Sequence, residues 1–238
     1  MRLAIDTSTD FASVAIGTSG EVTDCIVSCC AREHAAQLVP MIHELVARTG
    51  VKLADIMEIV VGDGPGSFTG LRIGWAAAKG LAHERGIPLV AIPSLLGVAH
   101  AASAVEKSAG AIAACFDALR GQVFGAVYAF HPHRVETLVG PALFTLAELA
   151  RVTPVRPVLA VGDGAERYRT EVETWTGKPP MALDDVSDIA RSLLLLADDE
   201  AARRLLDDAL AEPIYGRPAE AQAKWEARHG RSLPNSPR

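Results

Sequence analysis

Short apolar runs that end on a polar turn recur along this chain, and two of them share one figure. Leu3-Ala4-Ile5 leads into Asp6-Thr7-Ser8-Thr9, and apolar positions resume at Ala12, Val14 and Ile16. Such alternation around a hydroxyl-rich turn reads as a β-hairpin with Asp6 at the end of its first strand. Residues 111–117 repeat it: an apolar run ends on Asp117, and apolar positions return at Val123 and Val127, with Gly125 the weak one between them. A second echo links Ile59-Val60-Val61-Gly62-Asp63-Gly64 with Leu159-Ala160-Val161-Gly162-Asp163-Gly164. Two halves, each opening on an Asp-ended hairpin strand and later presenting a strand into Gly-Asp-Gly, predict an internal duplication.

Helical periodicity appears between these strands. Over residues 31–49, Leu38, Met41, Ile42, Leu45 and Val46 fall on one broad face, interrupted by Pro40. Residues 89–92 read as another buried strand, with a helix running from Ser94 toward Ala104. A helix is expected over 145–151, and another through Ile189, Leu193, Leu194 and Leu196, capped at Ser187-Asp188. Asp198-Asp199-Glu200 and Asp207-Asp208 read as a solvated face.

The densest stretch is residues 59–85. Its β-branched strand breaks into Gly62, Gly64, Pro65 and Gly66, a loop where backbone approaches something closely. Ser67, Thr69 and Gly70 can each cap the helix that follows. In that helix Gly70, Gly74 and Ala78 make a ridge of small residues, although glycine costs about 1 kcal/mol against alanine there. A glycine-rich strand-to-helix turn can hold an anion. However, no Gly-Lys follows for a P-loop, Ser67 and Thr69 replace the last glycine of a dinucleotide fingerprint, and Pro65 and Thr69 rule out a GxSxG elbow. Two readings remain: tight packing alone, or a vestigial nucleotide or anion site. That site would use Asp6, Thr7 and Ser8 of the first hairpin, Gly64, Gly66 and Ser67 of the loop, and Asp117 of the second hairpin. His34 reads as a capping or interface residue rather than a metal ligand, because no second ligand recurs at ligand spacing around it.

Composition narrows the class. With 238 residues, 49% of them apolar, the chain can bury one large core or two small ones. Its apolar stretches are broken well short of the roughly 18 residues a membrane span needs, and no signal region precedes Arg2, so a soluble, cytoplasmic protein is expected. Cys25, Cys29, Cys30 and Cys115 are expected to be buried, reduced thiols. A net charge of −6 argues against a chain that grips nucleic acid by itself. From Gly216 to the last residue, five Lys or Arg face two Glu, which reads as a frayed basic tail or a minor RNA or partner contact.

The run Gly64-Pro65-Gly66-Ser67-Phe68-Thr69-Gly70-Leu71-Arg72-Ile73-Gly74, followed by Ala76-Ala77-Ala78-Lys79-Gly80-Leu81-Ala82, closely resembles the signature of the bacterial TsaB (YeaZ) family. These proteins are relatives of the former glycoprotease family and partners of TsaD in making threonylcarbamoyladenosine on tRNA. His34, Leu38, Pro40 and Ile42 are similar to the family's REHxxxLxPxI, and Pro213-Ile214-Tyr215-Gly216-Arg217 to its PxYxR close. Asp117-Ala118-Leu119-Arg120-Gly121-Gln122-Val123 resembles DARxGEV, with Leu119 and Gln122 departing from it. The resemblance implies an actin-like, Hsp70-like (ASKHA) α/β fold of two duplicated halves with mixed sheets flanked by helices. The halves would be 1–105 and 106–212, with 213–238 a partly flexible C-terminal segment.

It also implies function. Catalytic relatives carry an HxxxH pair that holds a metal; here Ser94 and Val98 stand in its place, and valine cannot ligate. The chain would be a non-catalytic subunit with no cofactor or metal of its own, nucleotide and metal residing on TsaD-like and TsaE-like partners. It would bind and activate a TsaD-like transferase as a heterodimer, pair with itself when alone, and meet tRNA only indirectly. The expected interface uses His34, Leu38, Met41 and Leu45 of one helix and Gly70, Leu71, Gly74, Trp75 and Ala78 of the next. The rival readings are a stand-alone actin-like nucleotide hydrolase or peptidase, whose phosphate glycines and nucleophile–base pair are not visible, and a homodimeric scaffold outside the tRNA pathway.

Overall fold

A computed structural model describes residues 1–29, 33–107, 110–131, 134–199, 204–206, 211–217 and 228. The first hairpin is β1 (Arg2–Asp6) against β2 (Ala12–Thr18), and a strand not anticipated, β3 (Glu21–Ser28), extends it. β4 (Glu58–Gly62) lies parallel to β1, β5 (Leu89–Ile92) parallel to β4, and β10 (Arg204–Leu206) antiparallel to β5. The sheet order is β10-β5-β4-β1-β2-β3.

The second sheet repeats the inner part of this plan. β6 (Ala111–Asp117) pairs antiparallel with β7 (Val123–His131), which pairs with β8 (Arg134–Phe144), while β9 (Leu159–Val161) lies parallel to β6. Its order, β8-β7-β6-β9, matches β3-β2-β1-β4 strand for strand. Both Gly-Asp-Gly segments therefore emerge from a strand parallel to the one that ends on Asp6 or Asp117.

Strand alternation sorts side chains into three cores. Leu3, Ile5, Val14 and Ile16 face α1 (His34–Thr49) and α2 (Phe68–Arg85). Ala4, Ala15, Val60 and Val90 point the other way, toward α3 (Ser94–Glu106) and α7 (Ile189–Leu196). That middle core continues into Ile112, Ala114, Phe116, Phe124 and Tyr128 of the second sheet. Ala111, Ala113, Cys115 and Val127 close the far side against helices that include α4 (Leu146–Val152) and α6 (Arg169–Thr176), with α5 (Asp163–Arg167) packed on β6. The layers run helix, sheet, helix, sheet, helix.

Several local expectations change. Residues 106–212 do not all stay with the second sheet, because α7 packs on β1 and β2, and β10 completes the first sheet. Asp198 and Asp199 are not merely solvated: Asp198 meets Arg2 at 2.8 Å and Ser19 at 2.5 Å, and Asp199 accepts the Val135 amide at 3.3 Å. Asp207-Asp208 and Glu200 lie outside the described residues. Ser67 does cap α2, its hydroxyl accepting the Gly70 amide. Asp188 occupies the position before α7 without a side-chain capping bond. Among the described residues no helix is long and apolar enough to cross a membrane.

Candidate functional site

Asp6 ends β1 almost fully buried, at 1% exposure. Its Oδ1 accepts the Ser8 amide at 3.0 Å and the Ser8 hydroxyl at 2.8 Å, and its Oδ2 accepts the Ser94 hydroxyl at 2.7 Å. The Ser94 oxygen in turn accepts the Gly64 amide at 3.3 Å. Burial pushes the Asp6 carboxyl above its ordinary range, while the Ser94 and Ser8 bonds and nearby His34 pull it back. His34 is the first residue of α1 rather than its cap. It is buried, with Nε2 3.0 Å from the Thr9 carbonyl and Nδ1 facing no partner.

The glycine loop lies against this hairpin turn. A Cβ on Gly62 would strike the Asp6 carboxylate and the Ser94 hydroxyl, one on Gly66 the Ser8 carbonyl, and one on Gly70 the Thr7 carbonyl. Gly64 sits at φ +88, with the Ile214 carbonyl where its side chain would be. The Ser67 amide donates to the Ser8 carbonyl at 2.7 Å and the Thr7 hydroxyl to the Gly70 carbonyl at 2.7 Å. With the Ser67 and Gly70 amides both engaged, two donors an anion would use are occupied by the chain itself.

Asp6, Thr7, Ser8, Gly64, Gly66 and Ser67 lie together around the first hairpin turn, but Asp117 has separate partners. Its Oδ1 accepts the Leu119 amide at 3.0 Å and its Oδ2 meets Arg167 at 3.1 Å. Its own amide donates to Asp163. Asp163 keeps exposed surface, yet crowding by protein and then the charges of Asp117 and Asp10 raise its carboxyl, against two backbone hydrogen bonds.

The expected interface residues require a correction. His34, Leu38, Met41 and Leu45 are at most 7% exposed, and so are Leu71, Trp75 and Ala78, while Gly70 and Gly74 are buried as well. They belong to the chain's own interior. The Trp75 indole N–H donates to the Gly62 carbonyl at 3.0 Å, and a Cβ on Gly74 would strike Thr7. The outward faces carry other residues: Ala36, Val39, Pro40 and His43 on α1, and Phe68, Ala76 and Gly80 on α2. Val39 is 65% exposed, and nothing lies within 4 Å of a Cβ placed on Gly80.

The thiols also divide. Cys115 is buried and Cys25 half-buried, each pushed up to about 12 by burial, but Cys29 is exposed rather than buried. Cys30 lies outside the described residues.

Residues 28–193 match the family described as TsaD: tRNA N6-adenosine threonylcarbamoyltransferase. The tRNA threonylcarbamoyladenosine biosynthesis protein TsaB of Bacillus subtilis is 31% identical over 227 residues, 94% of this chain and 96% of that protein. The chain belongs to the TsaB (YeaZ) family. The TsaB of Escherichia coli is 35% identical over 147 residues, 59% of this chain and 63% of that protein. YeaZ from Pseudomonas aeruginosa superposes with a TM-score of 0.71 at 28% identity, covering 90% of this chain and 98% of that one. The mixed-sheet α/β architecture of two related halves implied by the TsaB resemblance is the one observed.

Ser94 and Val98, where the resemblance would place the metal-holding pair of catalytic relatives, are both fully buried. Ser94 is engaged by Asp6 and Gly64, and Val98 sits in the middle core. His100, next along α3, has Nδ1 3.1 Å from the Ser192 hydroxyl, and burial lowers its pKa. Among the described residues no group of three His, Cys, Asp or Glu is arranged to hold a metal.

Sequence reasoning passed over Asp63. Buried at 3% exposure, it accepts Arg204 at 2.8 Å and 3.0 Å through its two oxygens. Burial raises its carboxyl, with Arg204 pulling it back. The repeated Gly-Asp-Gly was the available signal. It also passed over the contacts made by Tyr215 and Arg217: the expected tail begins at Gly216, yet exposed Arg217 donates to the Ala118 carbonyl and a Cβ on Gly216 would meet Phe124 and Pro65.

Proposed function

We propose that this chain works in tRNA threonylcarbamoyladenosine biosynthesis as a non-catalytic subunit that binds and activates a TsaD-like transferase. The observation that carries the reading is the fate of Ser94 and Val98. The chain matches the transferase model across residues 28–193, yet at the metal pair's positions it has a serine engaged by Asp6 and a core valine. Asp6, the carboxylate an actin-like enzyme would use toward a nucleotide, has both oxygens engaged by Ser8 and Ser94. Nucleotide and metal then belong to the transferase and a TsaE-like ATPase, and tRNA is met through the complex.

The docking face is the outward side of α1 and α2, not the buried stripe. Val39 and Pro40 on one helix, and Ala76 and Gly80 on the other, offer apolar, small-residue surface suited to close helix packing. Its occupant is the paralogous helix pair of the transferase, and a second copy of this chain takes that place when the partner is absent.

Size-exclusion chromatography with light scattering on a mixture with the same organism's transferase tests this. A one-to-one complex is expected, lost in Gly80→Arg with circular dichroism unchanged, and threonylcarbamoyl transfer to tRNA should require both proteins. Transfer, ATP turnover or peptide cleavage by the chain alone would overturn the non-catalytic role. A folded Gly80→Arg protein with native affinity would move the interface elsewhere.

A further inference from the structure

Residues 211–217 cross the C-terminal ends of the strands of both sheets. On the first half, Lys79 donates to the Ala211 carbonyl at 3.1 Å and the Ile214 amide to the Asp63 carbonyl at 2.8 Å. Tyr215 stacks on Phe68 with ring centroids 4.6 Å apart and takes a hydrogen bond from Arg72 Nε at 3.2 Å. On the second half, Arg217 donates to the Ala118 carbonyl at 2.6 Å and lies over the Phe124 ring, 5.7 Å from its centroid. Between them Gly216, at φ +73, leaves no room for a Cβ between Phe124 and Pro65. Arg204 adds a separate tie from β10 to the same Asp63.

We propose that residues 211–217 act as a clasp that locks the loop after β4 to the turn after β6, so that the two strand-end turns open and close together. The two sheets share a core through α3 and α7 that reaches Phe116, Ala118 and Phe124 at the second sheet's strand ends. The clasp adds hydrogen bonds to backbone on both sides of that core: the Asp63 carbonyl on one and the Ala118 carbonyl on the other. Either grip holds the other in register, because only Gly216 separates Tyr215 from Arg217. The inference does not depend on the partner reading above.

Residue-resolved amide exchange in the full chain tests it. Among the described residues, the polar and ring contacts that Arg217→Ala removes are those to Ala118 and Phe124. A clasp requires it to speed exchange on the first half as well, at Ser67, Ile214 and Ser94, by about tenfold. Tyr215→Ala, which removes the ring and hydrogen-bond contacts to Phe68 and Arg72, should likewise speed exchange at Ala118 and Gln122. A folded Arg217→Ala protein whose faster exchange stays within residues 117–124 overturns the clasp. Should that variant fail to fold, Tyr215→Ala decides alone, and changes confined to residues 62–72 overturn it.

Discussion

The two hairpin turns begin with the same chemistry and finish in different environments. Asp6 accepts the amide two residues on, and so does Asp117, so each carboxylate closes its own turn in the same way. The other oxygen separates them. Asp6 Oδ2 meets a buried serine, with no cation bonded to it among the described residues, while Asp117 Oδ2 meets Arg167 at a surface where the Arg167 side chain is 56% exposed. The Gly-Asp-Gly segments diverge too. Asp63 is buried and held by Arg204, whereas Asp163 bonds the amides of Asp117 and Gly164. A duplicated backbone plan thus keeps local turn geometry while burial resets what each carboxylate contributes.

Steric crowding should give the largest effects, and in both copies. Gly66→Val drives a side chain into the Ser8 carbonyl, and Gly164→Val drives one into the Phe116 and Asp117 backbone. Each is expected to cost about 4 kcal/mol, or about 12 °C in melting temperature. Calorimetry on the pair would break the equivalence if one copy tolerated valine.

Removing the carboxylates should separate the copies. Asp6→Ala strands the Ser8 and Ser94 hydroxyls in the interior and is expected to cost about 3 kcal/mol. Asp117→Ala loses a partly exposed ion pair and one turn bond, about 1 kcal/mol. Urea unfolding of both variants measures the gap, and equal losses would mean that burial is not what distinguishes the turns.

The smallest effect is in pH dependence. Because burial raises the carboxyls of Asp6 and Asp63 in the folded state, the stability linked to them is full below the ordinary carboxylate pKa of about 3.9 and is lost as pH rises through their folded values. The melting temperature of Asp6→Asn should therefore gain on that of the parent as pH rises from about 4 toward neutrality. Asp117→Asn, run in parallel, provides the contrast from the exposed turn. A difference that stays flat for Asp6→Asn would remove the electrostatic part of the comparison.

The strands and both Asp-ended turns were legible because alternation and turn residues are local signals. The glycine loop was legible as a close approach but not in its purpose, since the Ser8 carbonyl it packs on lies in another element. The stripe of Leu38, Met41, Leu45 and Trp75 was misassigned for a physical reason. Helical periodicity reports which face is buried, not whether the cover is the chain's own sheet or a partner. The actual outward face mixes small residues such as Ala36, Pro40, Ala76 and Gly80 with polar ones such as His43 and Arg72, and its large apolar residues, Val39 and Phe68, form no periodic stripe. Tyr215 and Arg217 gave no local signal because their partners lie 143 and 99 residues away in sequence. The third strand of each sheet, β3 and β8, was missed because mixed exposure along an edge blurs the alternation.

The return of β10 to the first sheet has a consequence for how the protein is made. β5 acquires its outer neighbour from residues 204–206, so on the ribosome the first sheet emerges with that border open while the whole second sheet is still being translated. An unpaired strand edge invites pairing with another chain. Nascent chains that stall before residue 204 would carry both an unfinished border and a glycine loop lacking its Arg204 and Ile214 ties. Residues 204–214 therefore bear on the quality of a sheet begun two hundred residues earlier, and truncation before them should be felt at its first strands.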